Sequence, residues 1–357
     1  MTERGDALAE RLFGALLGTM DVQTVYLGDR LGLYRALEEG GPATSQELAV
    51  RAGIAERYAR EWLEQQAVGA IVECEDPTAP AVERRYALPV EHAEVLLDPD
   101  SQSYLAPTAR MLVAAAKQLP ALMDAYRDGG GVGWSRYGAD MSEGQEGGNR
   151  PFYVGSMGSW IAGGLPETHA RLGEPDGRVA DIGCGGGWSS ISIARAYPRA
   201  EVHGFDLDEP AIERARASAE AAGVADRVTF HAMDPGEAEP SHRYDLVTAF
   251  ECIHDMPQPV PVLATMRSMV DDDGAVMIMD EGVAETFTAP GDDLERLMYG
   301  FSTLVCLPDG MAHPGSVGTG TVMRPATLEG YAREAGFSRI EILPIEGGFW
   351  RFYRLHT

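Results

Sequence analysis

Short apolar runs alternate with helical patterns from about residue 178 onward, and this alternation constrains the fold more than any other feature. Five runs predict strands, at 178–182, 201–205, 228–232, 244–250 and 275–279. Helical patterns lie between them; one, from 189 to 196, follows the first strand. Strands separated by helices are typical of a parallel, doubly wound α/β sheet.

The C-terminal residues follow a different pattern. Two apolar runs, 339–343 and 349–355, are joined by a turn containing Glu346-Gly347-Gly348. So short a connection favours an antiparallel hairpin at the sheet edge. We therefore predict a Rossmann-like doubly wound sheet with a C-terminal antiparallel hairpin, in the class of α/β folds.

Residues 1–100 are predicted to be mainly helical. Thr44-Ser45-Gln46-Glu47 is a capping-box helix start, a second helix follows at about 55–68, and short strands are expected at 70–73 and 85–88. Helix, turn, helix and hairpin form the outline of a winged-helix domain. It would either bind DNA or serve dimerisation and substrate covering. The helix that would enter a DNA groove carries three acids and two bases, which favours the second role.

Residues 101–165 are predicted to form a helical and then glycine-rich connector that contributes to a pocket. Glycines at 129–131 and 144–148 flank Trp134 and Tyr137. Such runs are typical of linkers and sometimes of mobile lids. The aromatic stretch 152–160 fits a helix core or a pocket wall equally well.

Composition excludes several classes of partner. Lys+Arg 29 against Asp+Glu 55 gives a net charge of −26, which repels nucleic acid and anionic membranes. We expect no signal peptide and no membrane span, because the chain lacks a suitably long apolar run. The four cysteines form no C-x-x-C pair, so we expect no disulfide, no zinc site and a cytoplasmic location.

Acidic residues follow every predicted strand of the sheet. Ligands of open α/β sheets bind beyond the carboxyl ends of the strands, where these residues meet. In chain order the candidates are Asp181, Asp206-Leu207, Met233-Asp234, Glu251 with His254 and Asp255, and Asp280-Glu281. An insertion at 284–324 would lie over the same edge as pocket wall and lid.

The loop after the first strand has an unusual glycine spacing. Gly183, Gly185 and Gly187 alternate with other residues, and Trp188 replaces the third glycine of the dinucleotide pattern. Alternate glycines allow a ligand to lie against bare backbone. Asp181, just ahead of them, suits a ligand with an ammonium group, and Asp206 stands where an acid accepts ribose hydroxyls.

These residues resemble the class I S-adenosylmethionine (SAM)-dependent methyltransferases over about residues 166–357. The matching segments are Val179-Ala180-Asp181-Ile182-Gly183-Cys184-Gly185-Gly186-Gly187, Gly204-Phe205-Asp206-Leu207-Asp208, and Met233-Asp234 followed by Tyr244-Asp245-Leu246-Val247. The resemblance implies that the glycine loop holds the methionine end of SAM, Asp206 the ribose, and Met233 and Asp234 the adenine. We include Asp181, Leu207 and Glu251 among the expected cofactor-binding residues.

The whole chain also resembles the small-molecule O-methyltransferases with an N-terminal winged-helix domain. That group carries a His-Asp-Trp motif whose histidine is the general base, and this chain has His254-Asp255-Met256. The resemblance implies a homodimer, a role in secondary metabolism and His254 as catalytic base. Asp280 or Glu281 would hold the second nitrogen of its ring.

We therefore expect an enzyme that transfers a methyl group from SAM to a small-molecule acceptor, most simply at a hydroxyl, using a neutral histidine near pH 7. A metal-dependent variant would need clustered acids, and Glu251 and Asp255 are close in sequence. Two alternatives stay open: a winged-helix regulator that senses SAM, and a methyltransferase fold turned to other chemistry.

Overall fold

The computed structural model describes residues 2–234 and 243–357. The chain folds into two compact units. The first comprises Met1–Ala114 with Ala139–Pro151, and the second comprises Ala115–Gly138 with Phe152–Thr357. The predicted connector, 101–165, is thus shared between the two units.

The first unit is helical with one small β-ribbon. Its elements are α1 (Glu3–Arg30), α2 (Leu33–Gly40), α3 (Ser45–Ala52), α4 (Glu56–Val68), β1 (Glu73–Cys74), β2 (Tyr86–Ala87), α5 (Val90–Leu97) and most of α6 (Ala106–Lys117). The predicted capping box is present, since the Thr44 hydroxyl accepts the Glu47 N–H and the Glu47 carboxylate accepts the Thr44 N–H. The two strands pair antiparallel, as the winged-helix prediction requires.

Charged contacts hold the C-terminal part of α1 in place. Arg110 on α6 donates to both carboxylate oxygens of Asp29, at 2.5 and 2.7 Å. The Tyr26 hydroxyl donates to Asp140 at 2.8 Å. Farther toward the N-terminus, large apolar side chains of α1 are 47–62% exposed: Leu8, Leu12, Phe13, Leu16, Leu17 and Met20. One end of the helix is therefore tied down, and the other presents an apolar surface.

The glycines at 144–148 lie in a helix, and their prediction as linker or lid was wrong. They belong to α8, Ala139–Gly164. A Cβ on Gly144 would stand 2.6 Å from Met111 Cγ and 2.8 Å from the Pro107 carbonyl oxygen, both on α6. Glycine lowers helix propensity, but here it lets two helices approach closely. Packing between distant segments, which local sequence does not encode, decides the conformation.

The second unit contains the predicted sheet. Its strands are β3 (Arg178–Ile182), β4 (Glu201–Asp206), β5 (Val228–Ala232), β6 (Tyr244–Phe250), β7 (Val270–Glu281), β8 (Arg339–Ile342) and β9 (Trp350–His356). The order across the sheet is β5-β4-β3-β6-β7-β9-β8. The first five strands of that order are parallel, and β9 pairs antiparallel with both β7 and β8. The predicted α/β class and the C-terminal hairpin are confirmed.

Helices cover both faces of this sheet. The helices of this unit are α7 (Leu119–Asp128), α9 (Pro166–Leu172), α10 (Trp188–Ala196), α11 (Glu209–Ala221), α12 (Pro259–Met269), α13 (Asp293–Phe301), α14 (Leu307–Met311), α15 (Pro325–Glu334) and the C-terminal part of α8. One buried cluster includes Trp160 and Ile212, and the other includes Leu263 and Leu328. The central strands are buried on both sides, which explains their continuous apolar runs.

The segment that follows β7 forms helix rather than an open loop. Between α13 and α14 the chain makes a π-helical turn, Ser302–Cys306. Residues just before α8 brace it: the Tyr137 hydroxyl donates to the Leu304 carbonyl at 2.8 Å, and the Trp134 N–H donates to the Asp309 carboxylate at 2.7 Å. These bonds fix the turn beside the carboxyl ends of β6 and β7.

Across residues 2–234 and 243–357, every helix is too short or too polar to span a bilayer.

We expect Gly144→Ala to lower the free energy of unfolding by about 1–2 kcal/mol, because overpacking displaces the α6 backbone. Gly148 on the same helix has no described atom within 4 Å of its Cβ position. Gly148→Ala should therefore raise the free energy of unfolding by up to about 1 kcal/mol through helix propensity. Urea denaturation followed by circular dichroism measures both variants. Equal stabilisation by the two would contradict the packing explanation.

Candidate functional site

Asp181, at the end of β3, is turned into the protein. Its carboxylate accepts hydroxyl hydrogen bonds from Ser189 and Ser190 at 2.6 Å each and from Thr248 at 2.8 Å. The side chain is buried, and that burial raises its pKa. The Asp181 carboxylate thus contacts three hydroxyls of the chain, whereas the sequence predicts that it contacts an ammonium group of the ligand. Asp181 ties β3 to the start of α10 and to β6, and so shapes the glycine loop.

The three loop glycines have different environments. A Cβ on Gly183 would stand 2.7 Å from Cys252, and one on Gly187 would stand 2.6 Å from the Phe230 ring. Beside Gly185, by contrast, no described atom lies within 4 Å of the Cβ position. All three have positive φ, between 49° and 78°. Gly183 and Gly187 therefore serve the packing of the loop, and Gly185 presents bare backbone to open space.

Asp206, at the end of β4, faces the same loop. Its Oδ2 accepts the Gly185 N–H at 2.8 Å, and its Oδ1 accepts the Asp208 N–H at 2.9 Å. A carboxylate offers about four lone-pair directions, so the group retains capacity for a further donor. Burial raises its pKa. The next side chain, Leu207, is 63% exposed, an unusual setting for leucine beside a partly buried acid.

Met233 and Asp234 follow β5 at the same edge of the sheet. The Met233 N–H donates to the Asp206 carbonyl at 2.9 Å, so the two strand ends are joined. Met233 is partly buried against the core, and Asp234 is partly buried as well. Both stand at the end of the first described range.

Glu251, at the end of β6, has a left-handed backbone with φ of 52°. This conformation is costly for a residue other than glycine and is concentrated at functional sites. The Trp350 indole N–H donates to the Glu251 carboxylate. The backbone N–H of Glu251 donates to the Met279 carbonyl at 2.8 Å. Strand pairing and the indole together hold the residue in this conformation.

His254, Asp280 and Glu281 come together as the sequence predicts. His254 is buried, and its Nδ1 stands 3.1 Å from both carboxylate oxygens of Asp280 and 3.3 Å from Glu281 Oε2. Its Nε2 stands 3.4 Å from Asp255 Oδ1. The sequence left Asp280 and Glu281 as alternative partners of the ring, whereas both contact the same nitrogen.

The charge of this cluster corrects the expectation of a neutral histidine. Burial by itself would lower the pKa of the His254 imidazole, but the surrounding carboxylates raise it well above its ordinary value. Burial also raises the pKa of Glu281 well above its ordinary value, despite the imidazole beside it. We therefore expect His254 to be positively charged at neutral pH when no ligand is bound.

Three residues of this region were not predicted from the sequence: Cys306, Asp309 and Trp350. Cys306 comes within reach of His254 and Asp255 through the π-helical turn. Burial raises the pKa of Asp309 to about 7, with the Asp255 charge adding to the effect. All three are more than 50 residues from His254 in the chain, and none belongs to a local motif; chain contacts alone bring them here.

Two family models match the chain. A methyltransferase domain matches residues 174–305, and an Rv2258c-like winged HTH domain matches residues 20–97. The two matches correspond to the glycine-loop sheet and to the capped helices with their β-ribbon.

Curated relatives share part of the chain. A ubiquinone biosynthesis O-methyltransferase of Neisseria meningitidis is 38% identical over 102 residues, which cover 28% of this chain and 42% of that enzyme. The enzyme of the same name from Burkholderia pseudomallei is 30% identical over 187 residues, or 52% of this chain and 71% of that enzyme.

Solved structures match the fold over the full length. The mitomycin 7-O-methyltransferase MmcR superposes with a TM-score of 0.74 at 19% identity and covers 100% of both chains. Human N-acetylserotonin methyltransferase, solved in complex with SAM, has a TM-score of 0.69 at 17% identity and covers 100% of this chain and 99% of its own. With the sequence relatives and the family models, these matches place the chain in the SAM-dependent methyltransferase family, among members that carry an N-terminal winged-helix domain.

Proposed function

We propose that the chain binds SAM at the glycine loop and transfers its methyl group to a hydroxyl of a small-molecule acceptor. The observation that carries the proposal is the open backbone at Gly185 beside the Asp206 carboxylate, joined at 2.8 Å. The carboxylate retains lone-pair capacity, and an acid at this strand end fits the hydroxyls of a ribose. The exposed Leu207 side chain offers apolar surface to an adenosine.

The other strand ends complete this binding site in the proposal. Gly185 accommodates the methionine end in a loop shaped by Gly183 and Gly187. Met233 and Asp234 contact the adenine, and Glu251 lies on the side facing β6. Asp181 acts one step away, by holding the loop through Ser189, Ser190 and Thr248. When bound, SAM supplies a methyl group already activated on a sulfonium.

We propose that His254 accepts the proton of the acceptor hydroxyl as general base. Asp280 and Glu281 orient the ring through Nδ1, which leaves Nε2 to accept the proton. The carboxylates that raise the His254 pKa also bring it nearer to that of a phenol, about 10, which favours proton transfer. An aromatic hydroxyl compound of secondary metabolism fits this chemistry.

The DNA-binding alternative gains no support from the winged helix. On α4, Arg57 contacts Glu61 and Arg60 contacts Glu56, so its basic side chains pair with acids of the same helix. A DNA-reading helix presents unpaired positive charge. We propose instead that the unit serves dimerisation through the exposed apolar side chains of α1.

We expect Asp206→Ala to weaken SAM binding by roughly 10- to 150-fold, because hydrogen bonds to a charged group contribute about 1.5–3 kcal/mol. Isothermal titration calorimetry measures the affinity. Asp272→Ala serves as the control, since Asp272 lies at the start of β7 with its side chain 92% exposed. Unchanged affinity in Asp206→Ala would refute the assignment of the ribose site.

The rate of methyl transfer should rise with pH through a value well above 6.5, the ordinary pKa of histidine, because His254 must first lose its proton. Glu281→Gln removes one carboxylate and should move this rise to lower pH. The measurement is kcat/KM against pH with a phenolic acceptor.

His254→Ala should lower kcat by about 10²- to 10⁴-fold if the residue is the general base. The control is His356→Gln. His356 is the last residue of β9, at the end away from Trp350, and its ring contacts Glu341. Full turnover in His254→Ala would exclude His254 as the general base.

For the pH profile, a rate rise centred at or below pH 6.5 would exclude the proposed positive charge on ligand-free His254.

Leu12→Glu combined with Leu16→Glu should convert a dimer of the 38.4 kDa chain to a monomer, because the introduced charges would be buried at an apolar interface. Light scattering after size-exclusion chromatography gives the mass. Val50→Glu with Val82→Glu is the matched control, placed on exposed valines away from α1. A wild-type protein that is already monomeric would contradict dimerisation.

A further inference from the structure

Three different ligand atoms converge on one side of the His254 ring. Nε2 of His254 stands 3.4 Å from Asp255 Oδ1. One ligand atom from each of His254, Asp255 and Cys306 lies within 4.8 Å of the other two. Imidazole, carboxylate and thiolate are the donors that bind zinc in proteins. Bonds of about 2.0–2.3 Å to a common ion place its ligands roughly 3–4 Å apart, so small movements would complete the set.

The carboxylate oxygen of this set is incompletely satisfied, because its contact with His254 Nε2 is 3.4 Å long. Asp255 Oδ1 is shielded from solvent, and no hydrogen-bond partner for it is found in residues 2–234 and 243–357. A buried carboxylate oxygen without a partner is costly and calls for an explanation. A cation bound between Asp255, His254 and Cys306 would satisfy it.

The other side of the ring has the form of an outer coordination shell. Zinc-bound histidines donate their second ring N–H to a carboxylate, which fixes the tautomer and the ring orientation. Asp280 stands 3.1 Å from Nδ1 through both oxygens, and the buried Glu281 Oε2 stands 3.3 Å from the same nitrogen. With the proton on Nδ1, the lone pair of Nε2 points toward Asp255 and Cys306.

Access favours the Nε2 side over the Nδ1 side as the ion site. Asp280 is 0% exposed and Glu281 is 5% exposed, so an ion between them would have no route from solvent. The Asp255 side chain is 29% exposed and Cys306 is partly exposed. The π-helical turn Ser302–Cys306 holds the thiol at this more open side, and π-helical turns are frequent at functional sites.

We propose that His254 Nε2, Asp255 Oδ1 and Cys306 Sγ bind one divalent cation of borderline softness, of the Zn²⁺ class. A mixed nitrogen, oxygen and sulfur set favours such ions over Mg²⁺ or Ca²⁺, which prefer oxygen ligands. Three protein ligands leave a fourth position for water or another small ligand. Binding displaces two protons to solvent, one from the Cys306 thiol and one from His254 Nε2, because the thiolate and the neutral imidazole are the ligands.

The site bears on catalysis if the proposed function holds. A cation on Nε2 occupies the atom that would accept the proton of the acceptor hydroxyl. Zn²⁺ is therefore expected to inhibit methyl transfer, and a chelator is expected to restore it. This consequence rests on the proposed function, whereas binding of the ion does not.

The test uses the full chain without an affinity tag, first freed of metal by chelation. Titration with ZnCl₂ in a calorimeter should give one site per chain, and Co²⁺ should give the ultraviolet absorption of a cobalt–thiolate bond. Cys306→Ser should abolish that absorption and weaken Zn²⁺ binding by more than about tenfold, and Asp255→Asn should weaken it similarly. Cys74→Ser is the matched control, because Cys74 is a partly exposed free cysteine on β1.

Two results would overturn the inference. One is a wild-type chain that takes up no Zn²⁺ at one equivalent; the other is equal Zn²⁺ affinity in Cys306→Ser and Cys74→Ser. The outcome is separate from that of the proposed function. Zn²⁺ binding without SAM binding would contradict methyl transfer alone, and SAM binding with turnover but no Zn²⁺ binding would contradict the metal site alone.

Discussion

Buried negative charge at the carboxyl edge of the sheet is the constraint on which the site depends. Asp181, Asp206 and Asp280 stand at the carboxyl ends of β3, β4 and β7, where Asp181 and Asp280 are buried and Asp206 is partly buried. A buried carboxylate is costly unless donors surround it. Each is stabilised differently: hydroxyls surround Asp181, backbone N–H groups contact Asp206, and the His254 imidazole contacts Asp280. These donors determine which acid shapes the loop, which stays open to a ligand, and which orients a base.

The glycine loop has its form because the chain is packed tightly on two of its three glycines. Positive φ at Gly183 and Gly187 turns the backbone, and Cys252 and Phe230 fill the space that side chains would need. The N–H of Gly185 then points at Asp206, and its other side stays open. A binding surface thus results from the rigidity of its neighbours, since a loop held at both sides retains its shape when a ligand enters.

The cluster around His254 links catalysis to charge. Several acids and one imidazole share a buried volume: the carboxylates raise the pKa of His254, and burial raises the pKa of Glu281. Proton and cation would occupy the same Nε2 position. Both a proton and a cation at Nε2 would therefore be stabilised by the same property of the site, the negative charge of the surrounding carboxylates.

Local sequence patterns predicted much of this protein. The apolar runs located the parallel strands to within a few residues, because a strand buried on both faces needs continuous apolar side chains. Parallel strands also place their carboxyl ends at one edge, so the meeting of His254 with Asp280 and Glu281 followed from topology. The N-terminal part of the helix at 139–164 was missed, because its glycines disfavour helix locally and Gly144 is accommodated by close contact with α6.

Tertiary structure alone decided how these residues are used. Asp181 and Asp206 both follow a strand and look alike in sequence, yet hydroxyls supplied by α10 and β6 enclose one, while the other retains free lone pairs. The charge on His254 and the arrival of Cys306 beside it depend on side chains up to 52 residues away. Sequence periodicity determines which secondary structure each segment forms and where the strands end, because those are local properties. Burial and partner choice are set by contacts between distant segments, and these determine the chemistry of each carboxylate.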